Sequence, residues 1–161
     1  MKDSAIVFVE SNTSGTGRMF LQSAADLGFR PILLSANSSR YEFGAGGVAQ
    51  EIFCDTSSIA EILKTCRRLE DRFIIKALWS SSEYYTTASA AVSQKLGLPG
   101  PDCFAVERCR DKNSQRQVTA SLHVSAPRSL MARTTKSIQA AAADIGPPIV
   151  LKPVSGSGAS A

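Results

Sequence analysis

Short, almost uninterrupted apolar runs, each followed by a polar turn and a helical pattern, constrain the fold of this chain most. The first run is Ala5–Val9, and a strand this apolar is typical of a parallel sheet covered on both faces. Glu10–Gly17 follow as a polar, glycine-containing turn, and the apolar spacing predicts a helix from about Thr16 to Leu27. Together with the next apolar run, Pro31–Ser35, this makes a strand–turn–helix–strand unit of about thirty residues, as expected for a right-handed crossover.

Two more strands and two more helices are predicted before residue 100. In chain order they are a strand at Glu51–Asp55, a helix at about Ser58–Leu69, a strand at Phe73–Trp79 and a helix at about Glu83–Leu96. This order predicts an α/β fold, with an open, mostly parallel, Rossmann-like sheet and helices on both faces. Such sheets bind ligands at the carboxyl ends of their strands. The turns after Val9 and Trp79 lie at those ends and are the first candidates for a binding site.

Two details of these helices are also predicted. The apolar face of the first helix is predicted to carry Met19, Phe20, Ala24 and Leu27. Asp55 or Ser57 is predicted to cap the second helix, because short oxygen-bearing side chains bind the free amide groups at a helix start.

The pattern changes at Leu98–Pro101, where two prolines and a glycine indicate a domain boundary. The sequence predicts an N-terminal α/β domain at 1–100, a helical linker at 101–126 and an incomplete further subdomain at 127–161. The predicted elements after the boundary are helices at about 102–109, 112–122 and 135–144 and strands at 127–131 and 148–152. The last strand–helix–strand portion is too short to close a core of its own.

Charge distribution limits the classes of ligand. Of the 161 residues, 18 are basic and 14 acidic, a net charge of +4. Residues 1–100 hold ten of each sign, so the excess lies entirely in the last third. This excess is too small for a nucleic-acid-binding protein, which would show a basic stripe. Two explanations stay open, namely cations gathered for a small anionic ligand and a solvated basic face.

Cysteine and histidine spacing argues against a metal site. The four cysteines, Cys54, Cys66, Cys103 and Cys109, follow no zinc pattern, and His123 is the single histidine. Free thiols in a reducing cytosol are expected, hence a cytoplasmic protein. No apolar run is long enough for a membrane span, so no membrane partner is predicted.

The turn Ser14–Gly17 opens a helix directly after the first strand. A helix start presents unpaired amide groups that can bind an anion. The turn lacks the third glycine and the following acidic residue of the dinucleotide fingerprint, and no Gly-Lys-Ser/Thr of a Walker A loop occurs. Binding of an anion or substrate and a merely tight turn are both compatible with this pattern.

Lys152 ends the apolar run that begins at Pro148, and Pro153 stops that run before a Ser/Gly loop. Flexible amide groups beside a fixed positive charge suit a polyphosphate. Forty residues earlier, Arg108, Arg110 and Lys112 place three cations within five residues.

In combination these segments resemble the front portion of the ATP-grasp ligases. The resemblance rests on Leu98–Pro101, Arg110–Lys112 with Arg116, Ala126–Arg128, and Gly146–Pro153 with the following Ser/Gly loop. It implies a pre-ATP-grasp domain at 1–100 and the beginning of the ATP-grasp lid subdomain at 127–161. It also implies ATP as a ligand, with Mg²⁺, in the intact enzyme. The residues implied for ATP are Lys112, Lys152, Ser155, Gly156, Ser157 and Gly158.

The resemblance also implies where a second substrate binds and what reaction follows. The residues implied are Asn12, Thr13, Ser14, Gly15, Thr16, Gly17, Ser82 and Glu83. Such enzymes phosphorylate a small carboxylate, and an amine then displaces phosphate from the acylphosphate, so no catalytic residue is required of this chain. The family's metal ligands follow the glycine-rich loop, so the chain is expected to be a catalytically incomplete fragment with no metal ligands and no bound cofactor.

Two other functions stay open, and one structural consequence is predicted. A stand-alone α/β module that binds a small metabolite without catalysis is the main alternative, and an oxidoreductase is disfavoured by the missing fingerprint. Residues from about 126 onward are expected to be weakly protected from amide exchange, or to pair with a second copy in a homodimer through an exposed strand edge.

Overall fold

A computed structural model of the chain describes residues 2–13, 15–37, 40–41, 47–122 and 125–154. The chain divides into two compact units, Met1–Val106 and Glu107–Ala161. No helix within the described ranges is long and apolar enough to cross a membrane.

The first unit is built on a sheet of four parallel strands. The strands are β1 (Asp3–Val9), β2 (Arg30–Ser35), β3 (Gln50–Phe53) and β4 (Phe73–Trp79), and their order in the sheet is β3-β2-β1-β4. The helices are α1 (Gly15–Asp26), α2 (Ile59–Leu69) and α3 (Thr86–Lys95), with a short 3-10 helix at Glu83–Tyr85. The predicted α/β fold with a parallel sheet is confirmed.

Helices cover both faces of this sheet, because successive side chains of a strand point to opposite faces. On one face Leu21 and Ala24 of α1 pack with Phe8 and Leu33. On the other face, side chains of α2 and α3 join those of the strands in a larger core, which contains Val7, Val9, Ile32, Leu34, Ile62, Cys66, Leu69 and Val92. The apolar runs in the sequence are therefore buried from both sides, as β1 and β2 show.

Two predicted details of the helices are wrong. Met19 and Leu27 are 67% and 73% exposed, whereas α1 buries Gly17, Leu21 and Ala24. The buried residues are spaced by four and three positions and so lie on one face of the helix. Of the predicted residues, Ala24 lies on that face, whereas Met19 and Leu27 do not. Helix α2 is capped by Ser58, whose hydroxyl accepts from the Glu61 amide at 3.3 Å. Asp55 instead accepts from the amide and the hydroxyl of Ser57, so both predicted caps are used within the preceding turn.

The second unit contains α5 (Lys112–Ser121) and α6 (Thr135–Ile145), and α4 (Cys103–Arg110) leads into it. Asp111 caps α5 by accepting from the Ser114 amide. This hydrogen bond holds the pKa of the Asp111 carboxyl below its usual value. Thr134 and Ser137 form a capping box at the start of α6, and Arg128 forms an exposed ion pair with Asp144 at 3.0 Å.

The strands predicted at 127–131 and 148–152 are not formed, since residues 125–154 contain no strand. Val150 and Leu151 are 79% and 71% exposed. A β-branched run becomes a strand only where a neighbouring strand supplies ladder hydrogen bonds and a packing surface. Neither segment has such a neighbour among the described residues. The predictions of weak amide protection and of pairing with a second copy stay predictions.

Burial divides the four cysteines into two buried thiols and two that are accessible to solvent. Cys54 and Cys66 are buried, Cys103 is partly exposed and Cys109 is exposed. Burial raises the pKa of the Cys66 thiol to about 12 and also raises that of Cys54. At pH 8, Cys66 should therefore have a thiolate fraction roughly a thousandfold smaller than that of a solvated cysteine.

We expect a thiol-alkylating reagent to modify Cys109 and Cys103 in the folded chain and to modify Cys54 and Cys66 only after unfolding. Peptide mass spectrometry at successive times gives the four rates, and a sample in denaturant provides the control. Equal rates for Cys66 and Cys109 in the folded chain would contradict this assignment.

Candidate substrate site at the carboxyl edge of the sheet

The loops after β1 and β4 meet at the carboxyl edge of the sheet. From β1 the chain proceeds to β2 and β3 on one side, while β4 lies on the other side of β1. Helix α1, which follows β1, and α3, which follows β4, pack on opposite faces. The edge between β1 and β4 is thus the point at which the strand order reverses, where open α/β sheets bind their ligands.

Ser81 joins the two loops. Its hydroxyl lies 2.8 Å from that of Ser11 and accepts from the Asn12 amide at 3.0 Å. The side-chain amide of Asn12 in turn donates to the Thr16 hydroxyl at 3.3 Å. The structure therefore brings Asn12 and Thr16, two of the predicted substrate residues, to the same point as the loop after β4. Thr13, Gly15 and Thr16 are exposed, and Ser14 lies outside the described residues.

Gly17 allows α1 to begin this close to the loop. A Cβ atom on Gly17 would lie 2.0 Å from the Asn12 carbonyl oxygen and 2.4 Å from the Ser11 hydroxyl oxygen. Both distances are far below van der Waals contact, so only glycine fits without displacement of the loop. Gly17, which was predicted as a substrate residue, is buried and shapes the site from behind.

Ser82 and Glu83 occupy different environments. Ser82 is 9% exposed, and its amide and carbonyl both pair with the Ser80 hydroxyl, at 3.1 and 3.2 Å. Its position is therefore that of a turn residue. Glu83 is exposed at the start of the short 3-10 helix. Ser81, which was not among the predicted substrate residues, makes the contact with the first loop. No signal in the sequence singles it out from Ser80 and Ser82, because its place beside Ser11 follows from the strand register, in which Phe8 pairs with Trp79.

A buried carboxylate lies directly behind these loops. Glu10 is 1% exposed and has a φ of 50°, in the left-handed region. Its Oε1 accepts from the Ala36 amide and from the Thr56 hydroxyl, both at 2.8 Å. Its Oε2 accepts a short hydrogen bond from the Tyr41 hydroxyl. One carboxylate thus holds segments that follow three different strands.

Tyr41 links Glu10 to the candidate substrate loop. Its hydroxyl accepts from the Ser11 amide at 3.0 Å and lies 3.2 Å from the Ser11 carbonyl oxygen. Burial and the hydrogen bond to Glu10 raise the pKa of this hydroxyl, so it stays protonated. Sequence reasoning missed Glu10, Tyr41 and Thr56 as a group. The only local signal was an acidic residue placed directly after a fully buried strand.

Glu51 lies near this network on β3. Burial raises the pKa of its carboxyl, the nearby Ser35 side chain opposes this rise, and the charge of Glu10 adds to it. Its Oε1 is buried and makes no hydrogen bond within the described part of the chain. No group of three or more His, Cys, Asp or Glu residues suited to a metal ion occurs in the described ranges.

The second unit brings together the two segments that carry the lysines predicted to bind ATP. The amide of Lys112, the first residue of α5, donates to the Val154 carbonyl at 3.1 Å. Val154 is two residues beyond Lys152, which is exposed. The main chain at Lys112 is therefore adjacent to that at Val154, at the end of the segment that contains Lys152. Ser155, Gly156, Ser157 and Gly158 lie outside the described residues.

Sequence relatives have a much longer chain. The chain is 33% identical to the uncharacterized protein y4rH of Sinorhizobium fredii over 154 residues, which are 96% of this chain and 32% of that protein. It is 29% identical to the alanine–anticapsin ligase of Bacillus amyloliquefaciens over 93 residues, 58% of this chain and 20% of that enzyme. No protein-family model matches the chain. The chain thus spans about a third or less of the curated relatives it matches.

Solved ligase structures share the fold over nearly the whole chain. An L-amino acid ligase from Bacillus licheniformis superposes on this chain with a TM-score of 0.67 at 17% identity. The superposed region is 97% of this chain and 38% of the ligase. The ADP complex of the N5-carboxyaminoimidazole ribonucleotide synthetase PurK gives a TM-score of 0.72 at 14% identity, over 96% and 38%. The chain therefore has the fold of the N-terminal portion of ATP-grasp ligases, and the predicted resemblance is confirmed.

Proposed function

We propose that this chain is the N-terminal portion of an ATP-dependent ligase that joins a small carboxylate to an amine through an acylphosphate. The fold shared with the L-amino acid ligase supports this proposal, and so does the sequence similarity to the alanine–anticapsin ligase. In this proposal the chain alone is catalytically incomplete and supplies binding groups, in a cytoplasmic enzyme. Residues beyond those described here would hold Mg²⁺ and the transferred phosphate.

The single observation that carries the ATP assignment is the hydrogen bond from the Lys112 amide to the Val154 carbonyl. It places the first residue of α5, Lys112, beside the segment that carries Lys152, two residues before Val154. Lysines at these positions would neutralise phosphate charge, and Ser155, Gly156, Ser157 and Gly158 would supply amide and hydroxyl donors. Nothing in this arrangement requires a protein nucleophile, since the ligand's own phosphate activates the carboxylate.

The second substrate is proposed to bind between the loops after β1 and β4. Asn12, Thr13, Ser14, Gly15 and Thr16 would face it, with Gly17 behind them and Ser82 and Glu83 on the opposite loop. Uncharged hydroxyl and amide groups predominate there, as expected for a small ligand held by hydrogen bonds. The amide groups at the start of α1 favour a carboxylate over a cation.

We test the ATP assignment with Lys152→Ala in the complete natural gene product that contains this chain. The variant should bind ATP about ten- to a hundredfold more weakly, because a hydrogen bond to a charged group contributes about 1.5–3 kcal/mol. Isothermal titration calorimetry measures the affinity. Lys136→Ala, which removes an exposed lysine of α6 in the same unit, should bind ATP like the parent protein.

Two negative results are distinguishable, one for the role of Lys152 and one for the ligase proposal. Unchanged ATP affinity in Lys152→Ala would show that Lys152 is not a nucleotide ligand. If the parent protein binds no ATP, the ligase proposal fails and the alternative, a small-metabolite binding module without catalysis, is favoured.

A further inference from the structure

The buried Glu10 carboxylate holds together the segments that follow three strands of the sheet. Glu10 itself follows β1, Ala36 and Tyr41 follow β2, and Thr56 follows β3. All three segments leave the carboxyl edge, where the candidate substrate site lies. A carboxylate that accepts several hydrogen bonds in the interior fixes the relative positions of its donors, because each donor would otherwise be buried without a partner.

Within the described residues, Tyr41 is the side chain of this network that reaches the substrate loop directly. The Tyr41 hydroxyl donates its single proton to Glu10 and accepts from the Ser11 amide. The charged carboxylate is a stronger acceptor than the Ser11 carbonyl, which lies 3.2 Å away. Tyr41 is 4% exposed, so it lies behind the loop and acts on a ligand only through Ser11.

We propose that Tyr41, held by Glu10, is a positioning residue that fixes Ser11 and Asn12 in the geometry that binds the second substrate. Ser11 then places its hydroxyl 2.8 Å from that of Ser81, and Asn12 donates from its amide to Ser81 and from its side chain to Thr16. Tyr41 thus holds from behind the residue, Ser11, that together with Asn12 contacts the loop after β4. The functional part of this inference rests on the proposed ligase function, whereas the positioning itself does not.

The matched variants are Tyr41→Phe and Tyr85→Phe. Tyr41→Phe keeps the ring and removes the hydroxyl, which leaves the Ser11 amide and one oxygen of Glu10 without this partner. Tyr85 packs against the core on the other face of the sheet. Tyr85→Phe therefore controls for the loss of a tyrosine hydroxyl away from Ser11.

Amide hydrogen exchange of the 161-residue chain measures the positioning without any ligand. In Tyr41→Phe the Ser11 and Asn12 amides should exchange about tenfold faster, while Val7 and Leu33 in the core strands keep their rates. Tyr85→Phe should leave Ser11 and Asn12 unchanged. Equal acceleration of all amides would indicate global destabilisation and would overturn the inference, as would no change at Ser11 and Asn12.

Kinetics of the complete gene product measure the functional consequence. ADP formation is followed with ATP and the twenty L-amino acids, singly and in pairs, as the substrates tested. Tyr41→Phe should raise KM for the amino acid about tenfold and leave KM for ATP within about twofold. A parallel rise of both constants, or no rise, would overturn the positioning role. If the parent protein forms no ADP with any pair, the proposed function fails, and the exchange experiment still decides the inference.

Discussion

Replacement of Gly17 by alanine is expected to lower the free energy of unfolding of the chain by about 3 kcal/mol, at the upper end of overpacking effects. The added Cβ would lie 2.0 Å from the Asn12 carbonyl oxygen. The position of the Cβ is fixed by the main chain of α1, and the carbonyl oxygen belongs to the main chain of the loop. Neither can rotate away, so α1 or the loop must move. Urea denaturation followed by circular dichroism measures the change.

Gly15→Ala provides a matched control two residues earlier on the same helix. A Cβ on Gly15 meets no atom within 4 Å, and alanine is favoured over glycine in a helix by about 1 kcal/mol. The control should therefore be neutral or stabilising. If both variants unfold alike, the close approach of Gly17 to Asn12 is not a determinant of this edge of the sheet.

The same glycine illustrates what sequence patterns could and could not predict. A glycine-rich turn before a helix was recognisable, and the turn was correctly placed after the first strand. The reason for Gly17 was not recognisable, because the clash involves Asn12, five residues away, and exists only once the loop has folded back. The alternation of strands and helices was predictable because both faces of the sheet are covered, which leaves continuous apolar runs such as Val7–Val9.

The hydrogen-bond network was beyond sequence reasoning for a different reason. Tyr41 and Thr56, which both donate to Glu10, follow it in the sequence by 31 and 46 residues. Each is unremarkable in its local sequence. They meet because parallel strands deliver their following loops to one edge, and residue spacing does not indicate which loop side chains turn inward. The exposed apolar run Ile149–Leu151 shows the converse, since its β-branched pattern predicted a strand that has no neighbour within the described residues.

Removal of the Glu10 carboxylate is expected to have the largest effect on stability of any change considered. In Glu10→Ala the Ala36 amide, the Thr56 hydroxyl and the Tyr41 hydroxyl lose their common acceptor. A buried polar group without a partner costs about 1–3 kcal/mol. Water that enters the space left by the side chain would partly replace the three lost hydrogen bonds. We therefore expect the free energy of unfolding to fall by about 4 kcal/mol. Urea denaturation measures this change.

Glu10→Gln separates the hydrogen bonds from the charge. The amide oxygen can accept from Ala36 and Thr56 as the carboxylate does. The amide nitrogen can donate to the Tyr41 hydroxyl, which would then turn its proton to the Ser11 carbonyl at 3.2 Å. Every buried group keeps a partner, so glutamine should cost only about 1 kcal/mol, the difference between charged and neutral hydrogen bonds. If glutamine were as destabilising as alanine, the negative charge itself, rather than the number of acceptors, would hold the three loops together.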